Sequence, residues 1–258
     1  MSSDSRHTWS RDEHIMAFNL YCKIPFGTIH NRNPAIISLA EALGRTPSAV
    51  SLKLANFARL DPALQARGIK GASHGSNGEI EVWDEFHQDW DRLAFESELL
   101  LANLTQQPLA EADEPDQYES IKPGRERETM VRVRVNQQFF RTAVLAAYGC
   151  RCSITGLSVQ ELLIASHIVP WANDEANRVN PRNGLCLSAV LDRAFDCGLI
   201  TVTPDYVVRV SIQLRHEKDD VAANDMIRKY SGRQLTLPKR FVPKAEFLEY
   251  HNTHVFRS

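Results

Sequence analysis

The stretch from Leu163 to Asp196 constrains this chain more than any other, because its punctuation leaves room for one order of elements. A short apolar run, residues 162–165, delivers Ser166 and His167 and stops at Pro170, the pattern of a strand that ends on reactive side chains. A polar loop follows. Asn183-Gly184 is a turn signal, and the apolar residues 185–187 after it read as a second strand. Ser188 caps what comes next: residues 189–195 are good helix formers and put Asp192 and Asp196 four apart, on one face. The expected order is strand, loop, strand, helix, with a histidine, an asparagine and an aspartate at the joints.

His167 in S-H-I-V-P, Asn183 and Asp192, in that order, resemble the HNH endonuclease family. The resemblance spans roughly residues 141–212, about a quarter of the chain. It implies a ββα-metal fold, a nucleic-acid phosphodiester as substrate and one divalent metal per site, Mg2+ or Mn2+. It makes His167 the base that activates water, Asn183 the middle asparagine and Asp192 the last metal ligand. Ser166 stands before the base, where the family carries an Asp or His that ligates metal. Asp196, one turn beyond Asp192, is either a further ligand or the closing residue of the helix before Gly198. Members braced by zinc carry two CxxC pairs; Cys150-Arg-Cys152, Cys186 and Cys197 do not form them, so no structural zinc is expected.

The chemistry accounts for these residue types. Attack on a phosphodiester needs a base that accepts a proton from water near neutral pH, which suits histidine with its unperturbed pKa of about 6.5. Negative charge grows on the phosphorane and on the leaving oxygen, and a cation held by a carboxylate stabilises both. An asparagine amide can tie backbone groups across the loop and hold the histidine ring in place. Ser166 is a poor ligand for a hard cation compared with a carboxylate.

The N-terminal half has a different grammar. Ser10 and Glu13 fit a capping box, and Ile15, Phe18 and Cys22 fall on one face of the helix they start, which Pro25 ends. Asn33-Pro34 opens a second helix with Ile36, Leu39, Ala40 and Leu43 inward, closed by Gly44. Thr46 and Pro47 open a third, whose buried stripe is Val50, Leu54 and Phe57. Helix, glycine turn, helix is the helix-turn-helix pattern. The glycine- and serine-rich residues 68–78 and the alternation over 79–82 suggest a β-wing, and a single amphipathic helix is expected from Trp83 through Phe86, Trp90, Leu93 and Leu100. This half therefore resembles a winged helix-turn-helix domain, with a plain helical dimerisation domain as the alternative.

On the third helix, Ser48, Ser51, Leu52, Ala55, Asn56 and Arg59 lie opposite the buried stripe, and Arg45, Lys53, Arg67 and Lys70 surround it. These residues (Arg45, Ser48, Ser51, Leu52, Lys53, Ala55, Asn56, Arg59 and Lys70) are the expected DNA contacts. Leu52 and Ala55 are apolar where a recognition face normally offers hydrogen bonds; they either pack on the first helix or meet methyl groups in the major groove. The second option points to methylated DNA, with N6-methyladenine first because Asn56 could read the adenine edge beside the methyl. The chain has no methyltransferase motif, and a reader that requires methylation needs no protective partner.

The expected architecture is thus α+β: a winged helix-turn-helix domain over residues 8–104, a proline-containing acidic linker over 105–128, and an HNH nuclease domain over 129–258. At 258 residues the chain can bury two cores. Its 30 basic and 32 acidic residues exclude nothing, because a nucleic-acid binder needs a local basic surface rather than a basic total. Five irregularly spaced cysteines do not form a disulfide framework, and neither a signal-peptide core nor a membrane-length apolar run is present. A cytoplasmic protein is expected, with no membrane association. A helix from Asn136 to Tyr148 should lead into the nuclease domain, a hairpin should turn at Thr203-Pro-Asp205, and His251 and His254 read as parts of a capping helix rather than a metal pair.

The function expected from the sequence is metal-dependent cleavage of double-stranded DNA by a restriction or defence enzyme, directed to modified DNA by its N-terminal half. A homodimer is expected, since one site per chain cuts one strand. Two alternatives stand beside it: a DNA-binding regulator whose HNH fold has lost activity, and a defence effector that senses a partner or a small signal.

Overall fold

In the computed structural model, which describes residues 8–69, 75–109, 125–216 and 220–258, the chain divides into two units. One comprises Met1–Lys23 with Gly27–Gln137, the other Ile24–Phe26 with Gln138–Ser258.

The first unit is built on α1, Arg11–Lys23. Its capping box is present: Ser10 N–H donates to Glu13 Oε2 at 2.7 Å, and Glu13 N–H donates to Ser10 Oγ at 3.2 Å. Asn33 caps α2, Pro34–Ala42, by accepting from Ala35 N–H at 2.9 Å. Gly44, at φ 63°, makes the turn that a side chain would strain. Thr46 then caps α3, Pro47–Leu60, and Asp61 caps the single turn α4, Pro62–Gln65. Val50, Leu54 and Phe57 are fully buried as the periodicity requires. Phe18 of α1 gathers the core: its ring lies 4.9 Å from Phe57, 5.1 Å from Trp83 and 6.2 Å from Trp90.

The expected wing is corrected here. Residues 79–82 are not a strand but part of α5, Asn77–Phe86. Glu79, rather than facing solvent, has no exposed surface and accepts from Ser76 N–H and from Ser76 Oγ, both at 2.5 Å, so it anchors a helix N-terminus. Val82, Trp83 and Phe86 follow it inward at helical spacing. The long helix expected from Trp83 to Leu100 is broken at Asp89, which caps a separate α6, Trp90–Thr105. Among its described residues the first unit holds helices and no strand, and part of the glycine-rich segment, residues 70–74 with Lys70, lies outside them.

The expected linker also changes. Residues 110–124 lie outside the described residues, but Thr105 ends α6 and a long helix, α7, Arg125–Ala147, has begun by residue 125. The division between the units falls within α7, not before residue 129.

In the second unit Phe139, Phe140, Val144 and Leu145 form the buried side of α7. Strands β1, Leu163–His167, and β2, Gly184–Ser188, pair antiparallel with His167 opposite Gly184 and Ser166 opposite Leu185. Helix α8, Ala189–Asp196, packs on both strands, and Leu191 and Phe195 bury into the core with Leu163, Leu185 and Leu187. Each such side chain stabilises the fold by about 1.5–3 kcal/mol. The expected hairpin is β3, Ile200–Val202, with β4, Val208–Val210. Short helices α9, Ile212–His216, and α10, Val221–Met226, precede α11, Ala245–His254, which covers β3. His251 is buried in α11, where Thr201 Oγ1 lies 2.8 Å from its Nδ1, so it is structural as expected. All five cysteines are free.

Candidate active site

β1 ends at His167, and the backbone after it turns back through a loop that β2 closes. The loop settles which ring nitrogen of His167 carries hydrogen. Nε2 lies 2.8 Å from the Arg178 carbonyl, and a carbonyl only accepts, so Nε2 donates and Nδ1 keeps its lone pair. Phe140 stacks on the imidazole at 3.8 Å between centroids and 9° between planes, and Trp171 meets it edge-on at 5.5 Å. Burial pushes the His167 pKa below its ordinary value, while the hydrogen bond to Arg178 opposes that. The ring is therefore a neutral base at neutral pH.

Asn183 is 1% exposed. Its Oδ1 accepts from Val169 N–H at 2.8 Å, and its Nδ2 donates to the Val169 and Asn177 carbonyls, each at 3.2 Å. Its own carbonyl accepts from Ile168 N–H at 2.9 Å. It is a brace between the loop and the strand end that carries His167.

Ser166, beside the histidine, points to the other half of the site. Its hydroxyl is buried and makes no hydrogen bond of normal geometry, yet it is close enough to the Asp192 carboxyl to act on it. Asp192 has a raised pKa: partial burial is the main cause, and the Ser166 hydroxyl and Arg193 pull the other way. Asp196 is exposed but is raised as well, by the packing around its carboxyl and then by the charge of Asp192. The helical spacing has brought the two carboxylates into each other's field. Among the described residues no group of three or more His, Cys, Asp or Glu side chains is arranged to hold a metal.

Phe140, Trp171 and Arg178 were not singled out in the sequence as site residues. Phe140 looked like ordinary core on a helix. Arg178 acts through its backbone carbonyl, which residue type does not reveal.

The expected DNA contacts of the first unit are distributed differently. Ser48 is exposed and Leu52 is 56% exposed, with Ser51, Ala55 and Arg59 half-buried. Lys53 and Asn56 are corrections: both are buried, Lys53 in an ion pair with Glu79 and Asn56 donating to Glu79 Oε1 at 2.9 Å. The buried carboxylate of α5 draws that flank of α3 inward, so Asn56 does not present its amide to an adenine edge. Arg45 is held by both oxygens of Glu13, at 2.6 and 2.8 Å, and lies over the Trp9 ring at 4.3 Å.

Two antiparallel strands and a helix, with a tautomer-fixed histidine on one strand and a carboxylate on the helix, form a site suited to general-base hydrolysis. Residues 152–203, about a fifth of the chain, match the family model described as HNH endonuclease. This segment includes β1, the loop, β2, α8 and β3, so the similarity to HNH endonucleases lies within the second unit. No curated protein matches the chain. Among the described residues no helix is long and apolar enough to cross a membrane.

Proposed function

We propose that the protein is a metal-dependent DNA endonuclease of restriction or defence type, with the HNH domain as its cutting unit and the helical first unit as its selector. The observation that carries the proposal is the His167 ring, committed through Nε2 to a backbone carbonyl and left basic at Nδ1. Nδ1 takes a proton from water as the water oxygen attacks phosphorus. The phosphorus–oxygen bond to the leaving sugar breaks, and that oxygen leaves with the electron pair and is protonated from solvent.

HNH nucleases use a divalent metal, and the donors here fit one. Asp192 and Asp196 are two carboxylates whose charges disfavour each other, and Ser166 adds a buried hydroxyl beside Asp192. Asp192 would be the principal ligand, with Ser166 and Asp196 beside it; so few protein oxygens suit Mg2+ or Mn2+, which keep several waters. When bound, the cation supplies stabilisation of the charge that grows on the phosphorane and the leaving oxygen.

The substrate in this proposal is double-stranded DNA, cut by a homodimer. Selectivity for methylated DNA now rests on the exposed Leu52 of α3, without help from Asn56. A second reading, a DNA-binding regulator with a silent nuclease fold, is favoured by Ser166 in place of a metal-ligating residue. A third, an effector switched on by a small signal, is favoured by a cavity of about 540 Å³ in the first unit, lined by Met16, Asn19, Leu20, Leu39 and Leu101.

Plasmid DNA grown in methylating and non-methylating hosts, incubated with the protein and Mg2+ or Mn2+, separates these readings. Nicked or linear product that a chelator abolishes supports the endonuclease, and intact plasmid under every metal condition supports the silent fold. Equal cutting of both plasmids removes the methyl requirement.

A further inference from the structure

The loop between the two strands carries polar residues at a spacing of three: Asp174, Asn177, Asn180 and Asn183. Single 3-10 turns at Glu175–Asn177 and Pro181–Asn183 give the loop its period, since residues three apart lie one above the other in such a turn. The side chains join in series. Asp174 accepts from Asn177 twice, Oδ1 from the backbone N–H at 3.2 Å and Oδ2 from Nδ2 at 2.7 Å. Asn177 Oδ1 accepts from Asn180 Nδ2 at 2.9 Å, and the Asn177 carbonyl accepts from Asn183 Nδ2 at 3.2 Å. Asn183 in turn holds Val169, two residues past His167. Asn177 is the hub, and the next residue, Arg178, supplies the carbonyl that receives the His167 Nε2 hydrogen.

We propose that Asp174, Asn177 and Asn180 are positioning residues that fix the ring tautomer of His167 by holding the turn that presents the Arg178 carbonyl. The catalytic consequence rests on the nuclease reading; the tautomer itself rests on the hydrogen-bond geometry. A neutral imidazole can carry its hydrogen on either nitrogen, and only the form with a bare Nδ1 leaves that nitrogen basic while Nε2 is tied to a carbonyl. Asn183 alone does not secure this, because it braces Val169 and the Asn177 carbonyl but leaves the side-chain faces of the turn untied. Asn177 ties them to Asp174 on one side and to the buried Asn180 on the other. Arg178 closes the collar: its Nε donates to the Trp171 carbonyl at 2.7 Å, and its guanidinium lies over the Trp171 ring, which stands perpendicular to the His167 ring.

The test compares full-length wild type, Asn177→Ala, and the reciprocal exchange Asp174→Asn with Asn177→Asp, which keeps the side-chain links, with donor and acceptor reversed between 174 and 177 and Asn180 still donating to 177. Long-range proton–nitrogen NMR of the histidine rings in mildly alkaline buffer reads the tautomer, with the His167 signals assigned by their loss in His167→Gln. Wild type and the reciprocal exchange should show hydrogen on Nε2, whereas Asn177→Ala should show a mixture of tautomers. Plasmid cleavage with Mg2+ should follow, kcat falling about 10- to 100-fold in Asn177→Ala with KM within about twofold, and recovering in the exchange. Hydrogen on Nδ1 in wild type, an unchanged tautomer in Asn177→Ala, or no recovery in the exchange would overturn the proposal. A wild type that holds the Nε2 tautomer but cuts no DNA overturns the nuclease reading instead and leaves the positioning intact.

Discussion

Glu79 keeps its charge with no exposed surface. Burial alone would raise its pKa, but hydrogen bonds from Lys53, Ser76 and Asn56, and the Lys53 charge, bring it down to about 2. Removing the cation leaves a buried anion without its counter-charge, so Lys53→Ala should lower the stability of the first unit by about 3–5 kcal/mol, measured by urea unfolding. Lys53 also shows where sequence reasoning stops. A helical wheel places it and Asn56 by angle on a flank of α3, but the partner that covers that flank, a carboxylate 26 residues on, belongs to a helix that the glycine-rich approach disguised as a strand. His251 is the opposite case, a histidine kept neutral. Burial lowers its pKa to about 4, opposed by a hydrogen bond to the Phe195 carbonyl, and the ring stacks on Phe195 at 3.6 Å. Unfolded, the ring takes up a proton below its ordinary 6.5; folded, it does so only near 4. The unfolded state thus binds more protons in this window, and stability falls as the pH drops from about 6.5 to about 4. Unfolding followed across that range should show the loss, and His251→Gln should flatten it.

At the scale of elements, β1, β2 and α8 were readable almost residue by residue, because each is short and bounded by a residue with a physical reason to stop or start it: Pro170, the Asn183-Gly184 step and Ser188. The α5 helix was not, since four residues that alternate in polarity satisfy a strand and one turn of helix equally; only the Ser76 and Glu79 capping interaction separates them, and it lies in a segment rich in turn formers. Gly184 shows how closely the elements of the second unit approach. Its backbone is ordinary extended strand, but a Cβ there would lie 2.4 Å from Val144 Cγ2 and 3.0 Å from Phe140 Cζ. Gly184→Ala should therefore cost about 1–3 kcal/mol in thermal or denaturant unfolding. It should also reduce cleavage more than a distant mutation that destabilises the second unit equally, because Phe140 is the ring on which His167 stacks.

Over the whole molecule, the two-part plan and the HNH-like segment of the second part were legible in the sequence, but the junction was not. Acidic, proline-containing residues before 128 suggested a linker to its end, whereas Arg125–Ala147 is one helix, and the division into units falls inside it. Composition is a poor guide there, since the charged residues 125–134 suit the exposed faces of a helix as well as they suit a linker. The candidate active site needs no residue from the first unit: His167, its carbonyl, its brace and the Asp192 carboxylate all lie within 152–203. The central claim is that His167 is the general base of a DNA endonuclease. The measurement that reaches it most directly follows cleavage and binding of the same plasmid by wild type and His167→Ala side by side with Mg2+ or Mn2+. Wild type should cut, and the variant should lose about 10²- to 10⁴-fold in rate while binding DNA within about twofold of wild type. Near-normal cutting by His167→Ala would contradict the account.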